Sequence, residues 1–386
     1  MSDPQAPLPK SPGGSGRHRA AFAGKVIAAV VSLVVLVASG TAWALYTRFN
    51  GQVTHLGRGV IESPKQGGGH DVDGVDQNIL LVGNDSRGGL TNRQLRELGT
   101  QVNAGFNTDT ILLVHIPADG RKATVVSFPR DSYVTIPGYR SNKINAAYAD
   151  GACLPPGATQ SQCGGTLTGA EKTAGARELV KTVSALTGLH IDHYVEVGLL
   201  GFYQISKVLN GVEICLKAPA KDHYSGIDLP AGRQKIEGTQ ALAFVRQRHG
   251  IPGGDLGRIK RQQAFLGAVA HQILSAGTLL NPIRLNQLLD AVSKSLTTDN
   301  DGLDLLRLAG QMRDIAAGNV VFKTVPIASL SYSAGGIPDA IELDKAKLPG
   351  FFSTIVSGHP THRSTSHKSS SANRPARTAA SKSCVY

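Results

Sequence analysis

The sequence predicts an α/β protein, a three-layer α-β-α sandwich with a mixed central sheet, preceded by one transmembrane helix. Three observations predict it. Apolar β-type runs ("NILLVG", "TDTILLVHI", "ATVVSF", "DHYVEV", "VVFKTV") alternate with amphipathic helical stretches along 386 residues, the pattern of helices covering a sheet. Two of these runs flank "PADGRK", where Asp119-Gly120 is a hairpin signal, so the sheet contains an antiparallel pair. Upstream, the twenty residues "VIAAVVSLVVLVASGTAWAL" (26–45) carry no charge, a length that crosses about 30 Å of hydrocarbon as a helix.

The chain divides accordingly. Residues 1–25 form a basic tail, 26–46 the apolar helix, 47–70 a polar, glycine-rich linker, 71–356 the globular domain, and 357–386 a basic Ser/Thr-rich tail with almost nothing apolar to bury, which predicts disorder. Trp43 and Tyr46 stand at the far end of the apolar helix, where aromatic rings favour the membrane interface. The basic residues precede it, which puts the N-terminus in the cytoplasm and the globular domain outside the cell, on a single-pass membrane protein. A cleaved signal peptide is the alternative. "ASGTA" loosely matches a cleavage site, but the apolar core is longer than such peptides carry. Of the formal net charge of +12, residues 1–25 hold +3 and 357–386 hold +5. The remaining domain is only mildly basic, which is weak ground for a nucleic-acid partner.

Within the domain, Ile79–Val82 form a strand that breaks at Gly83 into a polar turn. "TDTILLVHI" and "ATVVSF" form the hairpin, which ends at Pro129. Thr168 and Glu171 have capping-box spacing, and Gly188 is the stop for the helix they open. Strand "DHYVEV", helix "GLLGFYQISKVLNG" and strand "VEICLK" follow. Then come helices "TQALAFVRQRH" and "GDLGRIKRQQAFLGAVAHQILSAG", two more near 282–296 and 302–317, and the closing strand "VVFKTV". The four cysteines, outside the membrane, are expected to pair. Cys153 and Cys163 bracket a short Pro/Gly-rich loop and close most easily. Cys215 can replace either, and the connectivity, with Cys384, stays open.

The residues suited to chemistry fall in two groups. Arg130, in "FPRDS", and Asp85, in "VGNDSRGG", sit at C-terminal ends of strands, where open α/β sheets place ligands. Asp109 opens its strand, and the hairpin brings that start beside Arg130. The second group is "VRQRHGIPGGDLGRIKRQQ", with Arg246, Arg248, Asp255, Arg258, Lys260, Arg261 and Gln262. Arg258, Gln262 and Phe265 share one helix face. So many arginines with few acids nearby call for an anionic ligand, and guanidinium groups fit pairs of phosphate oxygens. Two aspartates suit Mg²⁺, which takes one or two carboxylates plus substrate phosphates. Phosphoryl transfer needs this kind of charge and positioning. No GxSxG, P-loop or HExxH sequence is present, so the corresponding hydrolase and ATPase readings have no support.

Taken in order, "NILLVGNDSRGG", "NTDTILLVHI", "VVSFPRDSYVTIPG", "KINAAYADGA" and "LPAGRQKIEGTQALAFVRQRHGIPGGDLGRIKRQQAFL" resemble the LytR-CpsA-Psr family of cell-wall glycopolymer ligases, in its actinobacterial form. The resemblance implies an apolar lipid-binding tunnel and a catalytic domain over 71–356. The implied reaction moves a glycopolymer with its phosphate from a polyprenyl-pyrophosphate carrier onto peptidoglycan, beside membrane lipid and without nucleic acid. It also implies Asp85 and Asp109 as ligands of Mg²⁺ (Mn²⁺ as a substitute), and Arg87, Arg130, Arg246, Arg248, Arg258 and Gln262 as pyrophosphate contacts. Arg130, Asp255 and Arg258 would be catalytic, with Asp131 orienting Arg130. Asn107 stands where many members have an arginine, and the segment between Asp85 and Asp109 reads as longer than usual, a candidate flap. The other readings of the same residues are a membrane-anchored, non-catalytic binder or regulator of lipid-linked wall precursors, and a polyprenyl pyrophosphatase.

Overall fold

The computed structural model describes residues 15–61, 76–87, 90–100, 106–118, 122–154, 163, 165–273, 275–279, 281–300, 320–357 and 384–386. They fall into two compact units, Met1–Gly51 and Gln52–Tyr386.

The first unit is essentially one helix, α1 (Ser15–Gln52), of 38 residues, about 57 Å long at 1.5 Å per residue. The apolar stretch 26–46 lies within this helix. Part of its side chains fall outside the described residues, and among the described residues no helix is long and apolar enough to cross a membrane. The basic tail expected over 1–25 is described only from Ser15 onward.

The second unit is built on a seven-stranded sheet. Its strands are β1 (Thr54–His55), β2 (Gln77–Asn84), β3 (Thr108–Ile116), β4 (Ala123–Phe128), β7 (His193–Gly198), β12 (Leu296–Thr298) and β13 (Val320–Thr324), in the order β1-β12-β7-β2-β3-β4-β13. β2–β3, β3–β4 and β7–β12 are antiparallel, while β1–β12, β2–β7 and β4–β13 are parallel. The mixed sheet is therefore as the sequence predicts. The Asp119-Gly120 turn lies outside the described residues, but the antiparallel register Ile111↔Phe128 to His115↔Thr124 gives the hairpin.

Strand side chains alternate between two faces. Leu80, Val82, Ile111, Leu113, Val126 and Phe128 pack with α3 (Ala146–Cys153), α4 (Gly169–Thr187) and α10 (Leu348–Val356) into the main core. α4 begins on the predicted capping box of Thr168 and Glu171 and ends at Gly188 in the left-handed region, φ 72°. α3 and α4 touch backbone to backbone: a Cβ at Gly175 would stand 2.7 Å from the carbonyl oxygen of Tyr148. On the opposite face, Leu81 and Leu112 look into a cavity walled by α5 (Leu199–Val208), α6 (Gly238–Arg246) and α7 (Asp255–Ile273), with α9 (Pro282–Ser293) closing the far side. The result is the three-layer arrangement.

Three features differ from the sequence reading or extend it. The strand β8 (Val212–Leu216) is outside the central sheet and pairs with β11 (Gly232–Ile236) against α6 and α7. β14 (Ile327–Ala334) and β15 (Ile337–Leu343) form a hairpin before α10. The last three residues of the basic tail are docked. Cys384 is disulfide-bonded to Cys215, and the backbone of Val385 exchanges hydrogen bonds with Cys215 on β8 and with Lys217 just after it. The expectation of disorder across 357–386 thus fails at its end, because a covalent link holds what composition alone would release; 358–383 lie outside the described residues. The other pair is Cys153–Cys163. The helix expected near 302–317 and residues 62–70 of the linker expected over 47–70 also lie outside the described residues; the start of that linker instead continues α1 to Gln52 and forms β1.

Candidate active site

The two groups of residues singled out in the sequence meet at one mouth. β2 ends at Asn84, and its pairing with β3 shifts register between Gly83 and Asn84. This irregularity puts Asp85 and Asp109 at the same sheet edge. Asn84 sets the turn, since its Oδ1 accepts the backbone N–H of Ser86 at 2.8 Å and its Nδ2 donates to Glu196 Oε1 at 3.0 Å. Arg130 follows β4, which runs antiparallel to β3, so it faces Asp109. α6 delivers Arg246 at its end and Arg248 just beyond. Gly253 and Gly254, both at positive φ (83° and 52°), turn the chain into α7. That turn puts Asp255 in the first helical turn and Arg258 and Gln262 on the face toward the cavity.

Arginine–aspartate pairs fill this mouth. Arg87 donates to Asp85 through Nη2 (2.7 Å) and Nε (3.3 Å), and Arg246 Nη2 approaches the same Asp85 Oδ2 at 3.2 Å. Arg130 Nη1 donates to Asp109 Oδ1, and its Nε to Asp131 Oδ2 at 3.4 Å. Lys143 Nζ reaches the other oxygen of Asp131 at 3.4 Å. Arg258 Nη2 stands 2.7 Å from Asp255 Oδ1. Arg248 lies between, 4.0 Å from Asp109 and 3.9 Å from Asp255, too far for a hydrogen bond. Gln262 Nε2 donates to Thr110 Oγ1 (3.1 Å) and to the carbonyl of Val245 (3.3 Å). The structure therefore brings all nine predicted site residues together. It corrects one premise: acids are not scarce, because four aspartates face six cations here.

The Asp255–Arg258 contact is close but not aligned as a hydrogen bond. Both Asp255 oxygens and Arg258 Nε are buried without a hydrogen-bond partner among the described residues. Burial raises the pKa of Asp255; Arg258 opposes this, and Asp131 and Asp109 add to it. Burial lowers the pKa of Arg258, with Asp255 opposing, yet an arginine stays charged. Burial also acts against charge on Arg130, but Asp109, Asp131 and Asp255 outweigh it and hold the guanidinium above its ordinary range. The unpaired Arg258 donor is what an anionic ligand would complete, and the unpaired Asp255 oxygens are open to a hydroxyl donor.

Behind the mouth, the cavity holds about 510 Å³ and turns apolar. Phe202 and Phe265 meet at 5.0 Å between ring centres, and Ile205, Leu242, Val245, Leu266, Val269 and Ile273 line the walls. One end suits a polyanion and the other a hydrocarbon. Among the described residues no group of three or more His, Cys, Asp or Glu is arranged to hold a metal. A dedicated protein cage is therefore absent there. Asp85 and Asp109, the pair expected to hold Mg²⁺, stand at one sheet edge, each paired with arginine. The segment expected as a flap contains α2 (Asn92–Glu97), and Leu98 packs against Leu199 and Leu242 of the α5–α6 wall; 88–89 and 101–105 lie outside the described residues.

Sequence reasoning missed Lys143, whose signal was its place in "SNKINAAYADGA" just before α3. It also passed over Gln247, and it counted Arg261 in the second group without a role of its own; both are 1 % exposed.

A LytR_cpsA_psr family model matches residues 61–347. The cell wall biosynthesis protein LcpA of Corynebacterium glutamicum is 38 % identical over 342 residues, 84 % of this chain and 64 % of LcpA. The polyisoprenyl-teichoic acid–peptidoglycan teichoic acid transferase TagU of Enterococcus faecalis is 29 % identical over 210 residues, 54 % of this chain and 60 % of TagU. The chain thus spans less than two thirds of the length of these curated relatives. The solved LytR-Csp2A-Psr enzyme from Actinomyces oris aligns with a TM-score of 0.54 at 20 % identity, over 79 % of this chain and 94 % of that one, a likeness of fold.

Proposed function

Because this chain belongs to the LytR-CpsA-Psr family, we propose that it is a glycopolymer phosphotransferase of cell-wall assembly. It takes a glycopolymer with its phosphate from a polyprenyl-pyrophosphate carrier and joins it to a hydroxyl of peptidoglycan. The observation that carries this reading is a cavity whose mouth is lined by arginines and whose interior is apolar. Each CH₂ buried in such an interior contributes about 0.8 kcal/mol.

In this reading Arg130, Arg246, Arg248 and Arg258 hold the pyrophosphate oxygens and spread the charge that develops on them. The hydroxyl oxygen of the acceptor bonds to the phosphorus that bears the glycan. The bridging P–O bond breaks, and polyprenyl phosphate leaves with that bond's electron pair. The hydroxyl proton passes to Asp255, whose raised pKa brings it nearer to neutrality and makes it a better base than an ordinary aspartate. Asp85 and Asp109 would hold Mg²⁺, which supplies further neutralisation of phosphate charge when bound. The apolar helix at 26–46 would anchor the chain in the membrane that holds the lipid carrier, with the domain outside the cell.

The test is turnover of a short-chain polyprenyl pyrophosphate that carries a glycan on its terminal phosphate, by the purified full chain, with and without Mg²⁺ and a peptidoglycan fragment. Polyprenyl phosphate formed together with a phosphodiester-linked product supports the transferase. Release of the monophosphate with no acceptor dependence assigns a pyrophosphatase, and tight binding without turnover assigns a binder.

A further inference from the structure

Arg261 is a buried cation with no Asp or Glu partner among the described ion pairs. It is 1 % exposed, on the turn of α7 after Arg258, and faces away from the cavity. Its Nη1 donates to Gln247 Oε1, its Nε donates to the backbone oxygen of Tyr386, and its guanidinium carbon lies 5.1 Å from the ring centre of Phe244.

What the charge ties together is informative. Gln247, also 1 % exposed, follows α6 with extended backbone (ψ 135°), so its side chain points opposite to its neighbours. Those neighbours are Arg246 and Arg248, both lining the cavity. Gln247 Nε2 donates to the carbonyl of His249 at 2.8 Å, and its backbone N–H to Ala243 at 3.1 Å. The backbone N–H of Gln247 on one side and its side-chain amide on the other thus bracket the peptide units that carry both arginines. The far end of the relay, Tyr386, is held on β8 through Val385 and the Cys215–Cys384 disulfide.

We propose that Arg261 and Gln247 are positioning residues for diphosphate binding. They fix Arg246 and Arg248 in the cavity mouth, and residues 384–386, pinned to β8, brace them from behind. This rests on the reading of Arg246 and Arg248 as phosphate contacts.

The experiment titrates the full chain by calorimetry with a short-chain prenyl diphosphate and with the matching prenyl alcohol, which reads the apolar interior alone. Arg261→Met keeps the length of the side chain and removes its donors. The expected result is about tenfold weaker diphosphate binding, the weight of one charge-assisted hydrogen bond, with alcohol binding unchanged. Gln247→Met breaks the same link from the other side and serves if Arg261→Met fails to fold. Cys215→Ser with Cys384→Ser should weaken the diphosphate in the same selective way. Folded variants that bind diphosphate as wild type does overturn the proposal. So does equal weakening of both ligands, which marks general loosening. If Arg248→Ala binds the diphosphate as tightly as wild type, or wild type binds it no better than the alcohol, the phosphate-contact reading has failed instead.

Discussion

Arg130 and Asp109 face each other across the β3–β4 hairpin, and Arg130 Nη1 donates to Asp109 Oδ1. The residues are 21 apart in sequence, yet the antiparallel register makes them neighbours. Arg130 also reaches Asp131, which Lys143 holds from the other side. Arg130→Ala is therefore expected to lower kcat for pyrophosphate cleavage by about 10²- to 10³-fold, as for loss of one preorganised donor to developing charge. Arg130→Lys should recover little, because a lysine cannot reproduce the planar fork. Initial rates with a polyprenyl pyrophosphate check both.

Asp255 gives a pH prediction. Burial raises its pKa, and a base must be deprotonated to act. Activity should therefore fall on the acid side at a pH above the ordinary aspartate range of about 4. Asp255→Asn should remove that limb together with most of the turnover. A profile of kcat/KM against pH that keeps its acid limb in Asp255→Asn would assign the limb elsewhere.

The metal prediction concerns Asp85 and Asp109. Chelation should abolish turnover and added Mg²⁺ should restore it. Asp85→Ala or Asp109→Ala should raise the Mg²⁺ concentration needed for half-maximal rate by about 10- to 100-fold. Rates that ignore chelator would remove Mg²⁺ from the reaction.

Cysteine chemistry can be read by mass. Under denaturing, non-reducing conditions no cysteine should alkylate, and peptide mapping should join Cys153 to Cys163 and Cys215 to Cys384. A domain cut at residue 356 leaves Cys215 without its partner, so it should show one free thiol.

Gly175 tests the packing of α3 on α4. A side chain there meets the Tyr148 backbone and the Ala152 Cβ, so Gly175→Val should destabilise the fold by about 1–3 kcal/mol. The midpoint of urea unfolding checks it, and an unchanged midpoint would mean the helices can part at little cost.

Much of this was legible because it depends on short-range pattern. The alternation in β2, β3 and β4, the capping box at Thr168 and the spacing of Arg258 and Gln262 on α7 are local signals, and the hairpin carried Asp109 to Arg130. The density of ion pairs was not legible. Asp85, Asp109, Asp131 and Asp255 come from four separate segments, and only the assembled sheet shows that each meets a cation. Arg261 sits in the same motif as Arg258, but spacing does not say which arginine a helix turns inward to a glutamine. The partner of Cys215 lies 169 residues away, and local composition says nothing of such closures. The β14–β15 hairpin did leave a mark, since Gly335-Gly336, both at positive φ, is a two-residue turn signal.

The pairing of arginines with aspartates has a consequence for selectivity. Six cations answered by four carboxylates leave only a small positive excess at the mouth. A bare anion such as sulfate must part existing ion pairs and gains little in exchange. A hydrocarbon chain without a headgroup fills the walls but leaves Arg258 Nε without an acceptor. Only a molecule with both ends settles both accounts, so the cavity acts as a coincidence detector: it should discriminate against each half of its ligand more sharply than the sum of the two half-affinities suggests.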